Sequence, residues 1–232
     1  LLVFLFIEKR VPEPMIDLSI FRSSQFGLGL LLGLLAFVAI AGTTLLLPFY
    51  LNNMLGYPPR QVGFMMALIP VFLGIVAPLS GTLSDLLGTR PIATAGLAIA
   101  AVSYFLMSRF DLDTGLFSYA IGVSLLGLGM GIFQSPNNSA IMGAAPSARL
   151  GIASGLLNIS RTLGQIIGIA VLGAFWASRV SYHAGSIPPG GATTAPVSTQ
   201  ISALQETFLL MVLLIGFAFL LSIWALLQSR QQ

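Results

Sequence analysis

FGLGLLLGLLAFVAIAGTTLLLPFYL, residues 26–51, runs its whole length without a charged side chain. As a helix rising 1.5 Å per residue it would reach about 39 Å, beyond the roughly 30 Å of hydrocarbon in a bilayer. Five more apolar runs follow, at 62–83, 91–108, 116–143, 151–177 and 207–227. Each is long enough to cross, the third only just. Strands of a transmembrane barrel would be about ten residues long and alternate in polarity, and these runs do not. The expected fold is all-α, a polytopic transmembrane bundle of six spans.

The composition agrees. Of 232 residues 56% are hydrophobic and 7% are charged, against about 25% charged in an ordinary soluble domain. So few charges cannot cover a water-facing surface, and lipid must be the main solvent. The net charge of +3 comes from ten basic residues spread along the chain. They form no patch for nucleic acid, so no nucleic-acid partner is expected. There is no cysteine, and His183 is the one histidine, in a Gly/Ser/Pro-rich segment read as a loop. No metal site and no cofactor are expected.

The opening LLVFLFIEKR has seven apolar residues before Glu8, Lys9 and Arg10. A signal peptide would place its charges first, and seven residues cannot span. Residues 1–25 are therefore read as the end of a preceding transmembrane helix with a cytoplasmic linker, and 26–232 as a six-helix bundle of a larger protein. If the EKR end is cytoplasmic, that side holds Lys9, Arg10, Arg22, Arg90, Arg149 and Arg230, and the other holds Arg60, Arg109 and Arg179. The excess of basic residues favours this orientation in a cell membrane, with both ends cytoplasmic. Residues 178–206 form the one long connection, Pro-, Gly- and Thr-rich, expected to be a mobile external loop. Glu206 then opens the last span, where a carboxylate suits the positive end of a helix.

Six spans divide into two groups of three, 26–108 and 116–227, which enter the membrane from opposite sides. Inverted three-helix repeats of this kind build many secondary transporters. The two groups share no convincing sequence similarity, so this expectation rests on topology alone.

Between the second and third spans lies GTLSDLLGTRP, residues 81–91. Asp85 follows a helix end, Gly88 allows a tight turn and Arg90 begins the next helix. An acid and a base flanking a glycine can clamp two helix ends, although a generic interfacial turn would look the same. The pattern Gly81-x-Leu83-x-Asp85-x-x-Gly88-x-Arg90 resembles the cytoplasmic loop signature of the major facilitator superfamily, in its second-half version. It departs at Leu86 and Ile92, where basic residues are common. Residues 8–26, 47–70 and 127–174 resemble, in order, the linker and two helix pairs of the C-terminal half of the fourteen-helix drug:proton antiporters. Asn52 stands where that branch often has glutamine. The resemblance implies the C-terminal half of a multidrug exporter, with Gly81, Asp85, Gly88 and Arg90 as a conformational gate.

Polar side chains inside spans are costly unless they face protein or water. Ser154, Asn158, Arg161, Gln165 and Gly168 follow steps of four, three, four and three. They share one helical face, expected to point into the bundle. Arg161 is the single charge within the six apolar runs, and it either serves an interior role or reaches back to the headgroups. The fourth span carries Gln134, Asn137 and Asn138 around Pro136. Such amides can bind substrate or join helices. By the family analogy the first and fourth spans line the cavity, which points to Gln134, Asn137 and Asn138; with Asn158 and Gln165 of the polar stripe they are the substrate-cavity candidates. Glycines four apart, at 29/33, 127/131, 151/155 and 164/168, are read as helix-packing sites.

No nucleophile–base pair, metal cluster or pair of intramembrane acids can be assembled, so an enzyme is not expected. The expected function is secondary active transport: proton-coupled, alternating-access export of hydrophobic or cationic small molecules. No carboxylate falls within the six runs, and the resemblance implies that the proton-binding acid belongs to the missing N-terminal half. The competing reading is an inactive or scaffold-like half-transporter that needs a partner half. The expected partners are the lipid bilayer, the substrate, protons and that half.

Overall fold

The computed structural model describes residues 23–229. The end of a preceding helix and the linker expected at 1–25 lie outside the described residues, apart from their last three. Helix α1 is Ser24–Phe49 and runs on through a π turn, Tyr50–Met54. The second span is α2, Pro59–Met66, joined at Ala67 to α3, Leu68–Leu87. Then come α4, Thr89–Met107, and α5, Leu116–Gly143. The last two spans are α6, Leu150–Ala184, and α7, Val197–Ser229. These give six stretches long and apolar enough to cross a membrane, and no strand occurs among the described residues. The protein is an all-α, multi-pass membrane protein.

The starts of these helices follow local chemistry. The Ser23 hydroxyl accepts the Phe26 amide, 3.4 Å away, and caps α1. Pro59 occupies the first position of α2, where its missing N–H is no loss. Gly88 has φ +91° between α3 and α4. Only glycine takes that conformation readily, so two helices meet there with no loop between them.

The connection between the last two spans corrects the expectation for 178–206. Helix α6 continues to Ala184 and α7 begins at Val197, leaving 185–196 as the link. Polar contacts beyond the apolar runs hold both extensions in place. Arg179 grips both carboxylate oxygens of Glu206, and His183 Nε2 lies 3.0 Å from Oε1. Trp176 Nε1 donates to the Gln200 carbonyl at 3.4 Å, and the Gln200 amide donates to the Ala195 carbonyl at 2.7 Å. Glu206 therefore sits in the third turn of α7 rather than at its start. His183 is in the last turn of α6 rather than in a loop.

The packing order bears on the inverted repeat. Helix α1, first of its triplet, packs on α6, second of the other triplet; α5, first of its triplet, packs on α3 in the same way. Two triplets exchanged by a two-fold axis in the membrane plane give this pattern. Helix α4 closes the bundle against α5 and α7. Glycines set the seams. A Cβ on Gly127 would lie 2.5 Å from the Ile69 carbonyl oxygen, and one on Gly131 3.0 Å from that of Leu73. On the α6 side a Cβ on Gly164 would lie 2.7 Å from the Leu34 oxygen. Gly129 and Gly96 bring the backbones of α5 and α4 together in the same manner. Gly151 and Gly155 have open space instead.

Buried hydroxyls tie the helices where the backbones approach. Ser80 donates to the Gly131 carbonyl at 2.9 Å and Ser103 to that of Gly122 at 2.7 Å. Thr94 and Ser222 lie 2.6 Å apart, and Thr43 donates to the Tyr104 hydroxyl at 3.1 Å. Outward, Val71, Ile75, Leu79 and Leu83 form an exposed apolar row on α3. Their spacing of four keeps them on one face.

Candidate functional site

Three helices form a narrow cleft. It is lined by Gly29, Gly33 and Phe37 of α1, by Phe133, Gln134, Asn137 and Asn138 of α5, and by Ser160 and Arg161 of α6. The structure thus brings together Gln134, Asn137, Asn138 and Arg161, which the sequence placed on two separate spans. Pro136 is buried in the middle of α5 and removes the amide that would bond the Ile132 carbonyl. Beside it the two neighbouring asparagines differ. Asn137 is buried and its Nδ2 donates to the Gly29 carbonyl at 3.1 Å, joining α5 to α1. Asn138 is half-buried and lines the cleft with Gln134, one turn earlier. Ser160 joins α6 to α1 through the Leu30 carbonyl at 2.8 Å.

Arg161 is half-buried. Its guanidinium carbon stands 4.9 Å from the centroid of the Phe37 ring, within the range of a cation–π contact. Its Nε is buried without a hydrogen-bond partner among the described residues. The stripe expected on α6 divides within the six-helix unit. Gly168 is buried against Val38 of α1, Arg161 turns onto Phe37, and Ser154, Asn158 and Gln165 are exposed. Phe37 and Ser160 went unremarked in the sequence. Phe37 lies more than a hundred residues from Arg161, and no periodicity in one helix reveals its partner in another.

At the other candidate site the motif charges separate. Arg90 donates from Nη1 to the Ala225 carbonyl of α7 at 3.1 Å and from Nη2 to Gln25 Oε1 of α1 at 3.4 Å. Arg90 so ties the third span to the first and last spans at one end of the bundle. Asp85 is exposed and forms no ion pair among the described residues. Gly81 lies beside Ser135 of α5, with room for a Cβ only at 3.2 Å from its Oγ. The clamp anticipated between Asp85 and Arg90 is carried by Arg90 alone. Among the described residues no cluster of three or more His, Cys, Asp or Glu could hold a metal.

Comparison with known proteins places the chain. Residues 6–169 match the Major Facilitator Superfamily. The chain is 30% identical over 186 residues to the riboflavin transporter RibZ of Clostridioides difficile, covering 79% of this chain and 41% of that protein. It is 33% identical over 179 residues to the multidrug resistance protein Stp of Mycobacterium tuberculosis, covering 77% and 33%. It is 31% identical over 173 residues to the tetracenomycin C resistance and export protein of Streptomyces glaucescens, covering 75% and 32%. The chain spans about a third to two-fifths of the length of these curated relatives. Six spans packed as two exchanged triplets and a match over more than half of the chain agree: this protein belongs to the Major Facilitator Superfamily.

Proposed function

We propose that the chain is the C-terminal six-helix half of a fourteen-helix drug:proton antiporter. It would export hydrophobic or cationic small molecules by alternating access, with both ends of the chain cytoplasmic. The observation that carries this reading is similarity, over three quarters of the chain, to proteins named for multidrug resistance and for tetracenomycin C resistance and export. The packing fits it. Rigid glycine seams make a unit that can rock as a block, and the amide-lined cleft opens between the first helix of each triplet and α6. In this reading Ser154, Asn158 and Gln165 face the central cavity, and the exposed rows of α3 and α6 meet the other half. Gly81, Asp85, Gly88 and Arg90 form the gate. Asp85, left without a pairing charge within this unit, would engage the other half when the gate closes.

Energy would come from a proton gradient, with the titrating acid in the N-terminal half. The experiment is dye accumulation in everted vesicles carrying the full-length transporter, energised by a pH gradient. Ethidium should accumulate above control vesicles and leave when the gradient is collapsed. Gradient-independent behaviour across several dye classes would overturn drug export. The 232 residues alone should transport nothing, because six helices do not enclose a two-walled cavity.

A further inference from the structure

We infer that the cleft around Arg161 is an anion subsite that takes the carboxylate of an amphipathic substrate. The inference rests on the transport reading above and adds to it that, among those hydrophobic or cationic molecules, the ones that also carry a carboxylate are preferred. Three observations carry it. First, the guanidinium is fixed in place: its face is set over Phe37 at 4.9 Å and its Nε is buried. None of its nitrogens donates to a described residue, so among these residues the donors of the planar fork are unspent. Second, the groups beside it are donors. The side-chain amides of Gln134 and Asn138 line the same cleft and make no hydrogen bond to a described residue, whereas Asn137 spends its amide on Gly29. Third, no acid answers the charge. Among the described residues Glu206 is held by Arg179 and His183, Asp85 ends α3, and Asp111 and Asp113 lie in the α4–α5 connection.

A planar fork of N–H donors flanked by amides matches a carboxylate geometrically as well as electrostatically. Size limits what enters. The cleft is narrow, with room for about one water (about 10 Å³), so at most one carboxylate oxygen enters and the rest of the molecule stays at its mouth. The half-buried Phe37 supplies an apolar wall at the mouth for a ring attached to that group. The subsite therefore selects an aromatic or similarly apolar carboxylate over its ester.

The test is equilibrium binding to the purified full-length transporter, read by fluorescence anisotropy with rhodamine 110 and its methyl ester, rhodamine 123. The wild type should bind the free carboxylate at least tenfold more tightly, the scale of a charge-assisted hydrogen-bond pair. Arg161→Gln should abolish that preference with little change for the ester. Arg161→Lys, which keeps the charge and loses the fork, should retain part of it. Equal affinities in the wild type, no binding of rhodamine 110, or equal weakening of both dyes by Arg161→Gln would each overturn the subsite, the last by showing that Arg161 holds the site together rather than pairing with the carboxylate. Binding needs no gradient. A retained preference without gradient-driven export would refute the transport reading and leave the subsite standing.

Discussion

Replacing Gly164 by alanine tests the seam that holds α6 to α1. The added Cβ would lie 2.7 Å from the Leu34 carbonyl oxygen and 2.9 Å from Phe37 Cβ, where ordinary contact begins at 3.4 Å. The backbone of α1 must therefore retreat by about 0.7 Å, the difference of those distances. Overpacking of this kind costs about 1–3 kcal/mol, and alanine returns about 1 kcal/mol of helix propensity. The net loss is about 0–2 kcal/mol, which for a chain of this size lowers Tm by about 0–8 °C, and by more against a glycine-to-alanine change that meets no clash. The assay is thermal unfolding in detergent, followed by helical circular dichroism and by retention on a sizing column. Gly216→Ala on α7 is the control, because a Cβ there meets nothing within 4 Å. It should leave Tm unchanged or slightly raised. If Gly164→Ala melts with or above this control, the backbones do not approach as described and the seam argument fails.

Two further outcomes follow from particular contacts. Arg90→Ala removes the bonds to Ala225 and Gln25, so amide exchange in residues 222–228 should speed at least tenfold, the scale of a charged hydrogen bond. Asp85→Asn should leave that exchange unchanged, and equal acceleration by both variants would restore an Asp85–Arg90 clamp. Asn137→Ala loses the bond to Gly29 and should cost about 0.6–1.7 kcal/mol. The exposed Asn158→Ala should stay within about 0.5 kcal/mol of the parent. The reverse order of melting temperatures would contradict the assignment of Asn137 as an interhelical tie.

The apolar runs gave away the six spans because lipid leaves the backbone almost no alternative to helix. The same logic misplaced the ends of α6 and α7 that meet at the 185–196 link. Hydrophobicity stops near residue 177, yet α6 continues because Arg179 and His183 find Glu206 on α7. Likewise the four-three spacing put Ser154, Asn158, Arg161 and Gln165 on one face, which is correct for a helix. It could not say that Arg161 would turn onto Phe37 while its neighbours stayed exposed. Packing glycines were legible at 127/131 and 164/168, but 151/155 has the same spacing and open space around it. A small-residue pair marks where a helix can be approached, and its partner must be found elsewhere. Arg90 shows the same limit: the motif drew attention to it, and its bonds go to residues far outside the motif.

The stacking of Arg161 on Phe37 also bears on how the protein is made. An arginine within a span opposes insertion, by up to about 2.5–3.5 kcal/mol at the centre, and α6 carries that burden with no acid in its own sequence. Phe37 belongs to α1, more than a hundred residues earlier, so its ring is already in the membrane when α6 leaves the ribosome. A cation–π contact supplies about 0.5–2 kcal/mol, much of it available only if α6 enters beside α1 rather than into open lipid. The arginine thereby ties the insertion of α6 to the correct neighbour, and a biogenesis assay on α6 alone should find it a poorer span than its place in the bundle implies.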